Sequence, residues 1–246
     1  MIIGSKLLFL KNLPSTNSYA ASLLREQEVP EGTVVHTNYQ SAGRGQGGNK
    51  WESEENKNLL LSIILFPSMI NPTDSFLISM AVSLGICDFL DQYTSSISIK
   101  WPNDIYVKND KIAGILIENS IMGDQIEHSI AGIGINLNQT EFVSDAPNPV
   151  SLANLTGKQH DLNNCLIHLT ADLDKRYKFL MSGDFDLIRL DYISRLYRYK
   201  HWSKFRDNNG LFIGRILNVG DTGRLRVERE DKIVTEYSFK EIEFIP

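Results

Sequence analysis

Cysteine is scarce: Cys87 and Cys165 are the only two in 246 residues. Both lie among apolar neighbours and read as small buried hydrophobes, not as a disulfide framework or a metal pair. A reducing, cytoplasmic setting is therefore expected. A basic surplus is also missing. Twenty-five Lys and Arg stand against 30 Asp and Glu, a formal net charge of -5. Proteins that coat nucleic acid need the opposite balance to displace counterions, so no DNA partner is expected. No long hydrophobic run is present. Residues 59–66 form the longest, interrupted by Ser62, whereas a membrane span takes roughly 20 apolar residues. Near the N-terminus only residues 7–10 are apolar, behind Lys6, too few for a signal peptide. The five histidines, His36, His128, His160, His168 and His201, show no metal-ligand spacing, so no protein-held metal is proposed. A Gly-x-Ser-x-Gly elbow and a Gly-Lys-Ser/Thr loop are absent as well, which argues against a triad hydrolase and a P-loop NTPase.

What is present suits a soluble globular protein. Hydrophobic residues make up 42% and charged residues 22%, enough for a sizeable core. Helical spacing covers 15–26, with Ser15 and Thr16 able to cap, then 75–93 with Asp74 as cap, 163–181 and 185–197. Strand patterns cover 34–39, 59–66, 97–101, 105–107, 112–118 and 127–137, several joined by tight turns such as Lys108-Asn109-Asp110. A mixed, mostly antiparallel sheet with helices follows. Beyond about residue 199 the pattern becomes short strands, 211–219, 224–228 and 233–239, enough for a small β-barrel of roughly five strands. The reading is α+β, with one domain over 1–198 and a second over 199–246.

Four clusters can carry chemistry. Gly43-Arg44-Gly45-Gln46-Gly47-Gly48-Asn49-Lys50-Trp51 contains GxGxxG. A dinucleotide fingerprint needs a helix to begin there, but polar residues and then a strand follow. What remains is a loop rich in backbone N–H groups, able to form an anion nest, with Arg44 and Lys50 beside it. The plain alternative is a flexible surface turn. Lys100-Trp101-Pro102-Asn103-Asp104 hands polar groups to a sheet edge, or is ordinary turn chemistry. Lys111 opens the otherwise apolar Ile112-Ala113-Gly114-Ile115-Leu116-Ile117. It offers a point charge beside a gap, or is solvated at a hairpin. Gly132 and Gly134 alternate on one face of a strand. That face is a slot for a flat ligand or a seat for a close-packed helix.

Ser15-Thr16-Asn17, Gln40 with Gly43-Arg44-Gly45, Lys100-Trp101-Pro102-Asn103-Asp104, Lys111 with Gly114, and Gly132-Ile133-Gly134-Ile135-Asn136 occur in the order and approximate spacing of biotin protein ligases. From about residue 13 to its end the chain resembles that family. The resemblance implies a class II synthetase-like catalytic fold followed by an SH3-like barrel. It implies activation of biotin by ATP to biotinyl-5'-AMP, then transfer to a lysine of a biotin carboxyl carrier domain, with Mg2+ accompanying the ATP phosphates. Lys111 is the implied catalytic cation, helped by Arg44, with Asp104 orienting the acceptor lysine or drawing off its proton. Ser15, Thr16, Asn17, Gln40, Gly43, Arg44, Gly45, Gln46 and Lys111 are implied to hold biotin. Gly114, Gly132 and Gly134 are implied to make room for its rings and Trp51 to cover them. Asn49, Lys50, Lys100, Asn103, Asp104 and Asn136 are implied to face the nucleotide.

Some relatives carry an N-terminal winged-helix repressor domain. About twelve residues precede Ser15 here, so repression is expected to be absent. A monomer–dimer equilibrium is also expected. One departure stands out: the family loop usually reads Gly-Arg-Gly-Arg, and Gln46 occupies the second Arg position. Loss of a fixed charge there predicts looser retention of the adenylate. The loop's four glycines predict disorder without ligand and closure over it. Lipoate–protein ligase, of the same fold and chemistry, is the nearest alternative. A non-catalytic module is the remote one, its footprint being Arg195, Arg198, Lys200, Lys204 and Arg206 interleaved with Tyr197, Tyr199 and Trp202. A domain linker is the plainer reading of that stretch.

Overall fold

The computed structural model describes residues 1–143 and 148–246. Seven strands form the larger sheet: β1 (Leu7–Leu13), β2 (Val34–Gln40), β3 (Leu59–Leu65), β4 (Ile97–Lys100), β5 (Asp104–Val107), β6 (Asp110–Met122) and β7 (Gln125–Ile135). Their spatial order is β1-β2-β3-β7-β6-β5-β4. Only β1 and β2 run parallel; every other neighbouring pair is antiparallel. Helices α1 (Thr16–Glu26), α2 (Phe76–Leu90), α3 (Leu152–Thr156), α4 (Leu162–Met181) and α5 (Phe185–Ser194) accompany it. The mixed, mostly antiparallel α+β expectation holds.

Strand alternation sorts the two faces. Val34, Leu61 and Ile63 point into the main core with α2, α4 and α5. Val35 and Ile64 point the other way, where they meet Ala20 and Leu23 of α1. β3 is buried along its whole length, as a central strand must be. Helix α2 with its preceding turn spans 19 residues of mean hydropathy 1.4, long and apolar enough by length and composition to cross a membrane. Here 72% of that stretch is buried inside the protein, as the core helix.

Strand β1 escaped the sequence reading because it is a half-exposed edge without clean alternation. Helix α3 escaped it too, being five residues long. Helix α2 is entered through Ser75, with no side-chain cap; Asp74 lies in the 3-10 turn before it. Helix α5 stops at Ser194, because the Ile99 amide of β4 donates to the Arg195 carbonyl and the Ile99 carbonyl accepts from the Tyr197 amide.

The second sheet comprises β8 (Ser203–Asp207), β9 (Gly210–Val219), β10 (Leu225–Arg229), β11 (Val234–Tyr237) and β12 (Glu243–Phe244), all antiparallel, in the order β11-β10-β9-β8-β12. This is the small barrel-like unit expected. Phe205, Ile216, Val219 and Leu225 join the same apolar cluster as α2. Trp101 donates from Nε1 to the Gly223 carbonyl at 2.8 Å, tying the sheets together. Three cations of the basic stretch are engaged within the protein: Arg195 pairs with Asp91, Arg198 donates to the Ile245 carbonyl, and Arg206 pairs with Glu243.

Candidate active site

One line of register neighbours crosses five strands on the α1 side. Leu60 of β3 faces Gly134 of β7, Gly134 faces Gly114 of β6, Gly114 faces Asp104 of β5, and Asp104 faces Lys100 of β4. An apolar side chain, two bare backbones, a carboxylate and an ammonium thus stand side by side. The next line is Ser62, Gly132 and Leu116.

A cavity of about 620 Å³ opens over this surface. Ser15, Thr16, Asn17, Gln40, Arg44, Gly45, Gln46, Asn49, Lys50, Trp51, Lys100, Asn103, Asp104, Lys111, Gly114, Gly132 and Gly134 all line it. Gly43 and Asn136 do not. The Gly43 carbonyl accepts from the Trp51 amide at 3.0 Å, closing the base of the loop. Asn136 is buried and donates from Nδ2 to the Val150 carbonyl at 3.1 Å, holding the segment that leads into α3.

The first turn of α1 is fixed by a buried polar network. Ser15 caps the helix in extended backbone, accepting from the Ser18 amide. Gln40 Oε1 accepts from the Thr16 amide at 2.8 Å and its hydroxyl at 3.1 Å. Ser62 Oγ lies 2.6 Å from Asn17 Oδ1 and 2.7 Å from Thr16 Oγ1. Asn17 Nδ2 donates to the Leu116 carbonyl and to Glu118. The two glycine alternatives are divided between positions. At Gly132 a Cβ would sit 2.3 Å from Asn17 Oδ1, so this glycine admits the start of α1. At Gly134 and Gly114 a Cβ would sit 2.4 Å and 2.9 Å from the Trp51 indole. The protein's own tryptophan therefore lies directly on the bare backbone, where the sequence implied a cover held further off.

Lys111 ends 2.7 Å from Asp104 Oδ1, and its ammonium is 5.7 Å from the Trp51 ring centroid. This is the charge the sequence singled out, and it faces the cavity. Lys100 donates to Tyr106 Oη at 3.0 Å and lies over the Tyr106 and Phe244 rings. Burial pushes its pKa below the ordinary 10.5, partly offset by Asp104. Burial likewise raises the Tyr106 phenol. Asn103 donates to the Ile115 carbonyl at 2.6 Å, pinning the turn to β6. The Gly-rich loop bridges to itself between Arg44 and Lys50, with a 3-10 turn at Gln46–Gly48. Trp51 Nε1 and Gln46 Oε1 are buried and have no protein partner.

Sequence reasoning missed several contributors. Ser62 looked like an interruption of an apolar run. Glu118 was only the end of a strand. Phe244 of β12, with Phe239 and Lys240 of the turn that leads into it, also lines the cavity, and Lys240 donates to the Gly47 carbonyl at 2.8 Å. No local signal connects residues so far apart in the chain.

The architecture is that of a ligase catalytic sheet walled on one side by a small barrel. A model of the Biotin/lipoate A/B protein ligase family matches residues 9–136. The bifunctional ligase/repressor BirA of Bacillus subtilis is 33% identical over 96% of this chain and 74% of its own length. The human biotin–protein ligase is 30% identical over 58% of this chain and 21% of its own. Biotin protein ligase from Aquifex aeolicus, solved in complex with biotin and ATP, superposes with a TM-score of 0.80 at 26% identity, covering 97% of this chain and 98% of that one. The chain belongs to the biotin/lipoate A/B protein ligase family.

Proposed function

We propose that the chain activates biotin with ATP to biotinyl-5'-AMP and passes the biotinyl group to one lysine of a biotin carboxyl carrier domain. The observation that carries this reading is the Lys111–Asp104 pair, 2.7 Å apart, at the end of a glycine-lined strip in a cavity ringed by Arg44, Lys50, Lys100 and Lys240. A carboxylate and an α-phosphate repel each other, by about 1 kcal/mol at 4 Å in water and several times that in a partly dried cavity. A fixed ammonium offsets that repulsion and stabilises the charge that builds as they join. Asp104 holds the ammonium in place. A carboxylate oxygen of biotin attacks the α-phosphorus and pyrophosphate leaves. The acceptor amine then attacks the acyl carbon, AMP leaves, and the amine's surplus proton passes to a base; Asp104 stands within the cavity for that. The remaining roles follow the cavity wall: Ser15, Gln40, Gln46 and Trp51 toward biotin, and Asn49, Lys50, Lys100 and Asn103 toward the nucleotide.

Among the described residues no group of three or more His, Cys, Asp and Glu is arranged to hold a metal. In this reading Mg2+ travels with the triphosphate as part of that substrate. We assign the chemistry to residues 1–198 and cavity closure to 199–246, on the strength of Phe239, Lys240 and Phe244 in the wall. A cytoplasmic location, a monomer–dimer equilibrium and the absence of DNA and membrane partners complete the proposal, supported by the -5 charge and the two unpaired cysteines. The test is biotin-dependent exchange of labelled pyrophosphate into ATP. Exchange with biotin and none with lipoate is expected; no exchange, or exchange driven equally by lipoate, overturns the reading. The relatives named for biotin make lipoate the less favoured substrate.

A further inference from the structure

Arg44 is the loop's guanidinium at the cavity, and it does not stand free. Its Nη2 reaches Glu118 Oε1 at 2.6 Å and its Nη1 reaches Glu118 Oε2 at 3.2 Å, a forked pair. Glu118 Oε2 also accepts from Asn17 Nδ2 at 2.8 Å. One carboxylate on β6 therefore joins the Gly-rich loop to the first turn of α1. Arg44 lines two spaces: the main cavity and an open groove of about 410 Å³ shared with Arg25, Glu118, Ser120 and His128. The Arg44 side chain is 46% exposed, and in the pose that the Glu118 pair holds it stands in the wall of both. Two of its N–H groups are committed to Glu118, and the others remain for a ligand.

We propose that Glu118 is a positioning residue for the activation step, fixing Arg44 in the wall that the cavity and the groove share and Asn17 against the sheet before substrate arrives. The inference rests on the proposed function of this site. Glu118 itself touches no reacting atom. It acts by sparing the bound state the ordering of a long, glycine-flanked side chain. Its loss is therefore read in substrate binding more than in turnover.

The experiment measures pyrophosphate exchange by wild type, Glu118→Gln, Glu118→Ala, Arg44→Ala and the Arg44→Ala/Glu118→Ala double variant. Glu118→Gln is expected to raise the KM for biotin about tenfold, the size of one lost charge-assisted hydrogen bond, with kcat changed less than about threefold. In the Arg44→Ala background the Glu118→Ala change is expected to cost less than it does alone, because one of its two partners is gone and only the Asn17 hydrogen bond is left to lose. In the ligand-free protein, Glu118→Gln is expected to speed amide exchange at residues 43–50 without moving the melting temperature. Wild-type KM and loop exchange in Glu118→Gln overturn the proposal, as does a full additive effect of Glu118→Ala beside Arg44→Ala. Wild-type protein that shows no biotin-dependent exchange defeats the functional reading instead, and the loop-exchange comparison still tests the positioning.

Discussion

Ser62→Ala removes a single oxygen from the centre of the sheet, and the structure fixes the consequence. Ser62 is fully buried in β3 and supplies the hydrogen bond to Asn17 Oδ1 at 2.6 Å. Without it, a buried carbonyl oxygen loses its donor. The cost of such an orphan is about 1–3 kcal/mol. For a chain of this length that lowers the melting temperature by roughly 3–10 °C. The kinetic consequence is separate: Thr16 and Asn17 line the cavity, and losing their common anchor raises the KM for biotin. Differential scanning fluorimetry and pyrophosphate exchange read the two effects. Pairing Ser62→Ala with Asn17→Ala removes both ends of the bond, and the double variant is expected to lose about 1 kcal/mol less than the sum of the singles. Strict additivity, or a Ser62→Ala protein with unchanged melting and unchanged KM, refutes the reasoning.

Lys111→Ala is expected to cut pyrophosphate exchange by about 10²–10³-fold, the range for one lost electrostatic donor in a preorganised site, while far-UV circular dichroism stays that of the wild type. Gly134→Ala places a methyl group 2.4 Å from the Trp51 ring; overpacking of this kind costs about 1–3 kcal/mol, and the displaced indole is expected to shift the tryptophan emission and raise the KM for biotin. Asp174 is predicted to govern acid stability. Burial raises its pKa, but hydrogen bonds from Lys178 and from the Ile2 and Ile3 amides outweigh that and hold it below 3.8. A carboxyl depressed in the folded state contributes stability above its unfolded value and loses it as pH falls through the folded one. Urea titrations of Asp174→Asn are therefore expected to show lower stability at pH 7 and a flatter decline below about pH 4. Gln46→Arg restores the charge missing from the loop and is expected to reduce labelling of bystander proteins; a wild-type enzyme that shows no such labelling removes the premise.

The strands and long helices were legible because their patterns are local. The run at 59–66 could only be a central strand, and the alternation of Gly132 and Gly134 announced a bare face. Lys111, Asp104 and the loop stood out only together, through the order and spacing of motifs that resemble the ligase family; singly, each read equally as a turn or a solvated charge. What stayed hidden depends on distance along the chain. Ser62 acts on Asn17 across 45 residues, Arg44 on Glu118 across 74, and Lys240 on Gly47 across 193; no local window of sequence contains any of these three pairs. The glycine alternatives were likewise undecidable locally. Which neighbour approaches Gly132 or Gly134 depends on where α1 and Trp51 come to rest, and that is set by the whole sheet.

Because Phe244 of β12 and the β11–β12 turn residues Phe239 and Lys240 complete the cavity wall, the binding site outlives neither sheet. Local loosening of β11 and β12 would leave the helical signal untouched while opening the reaction chamber to bulk water. Heat or mild denaturant should therefore silence this protein before any spectroscopic probe of its helices reports damage, and a half-life measured as activity will be shorter than one measured as ellipticity.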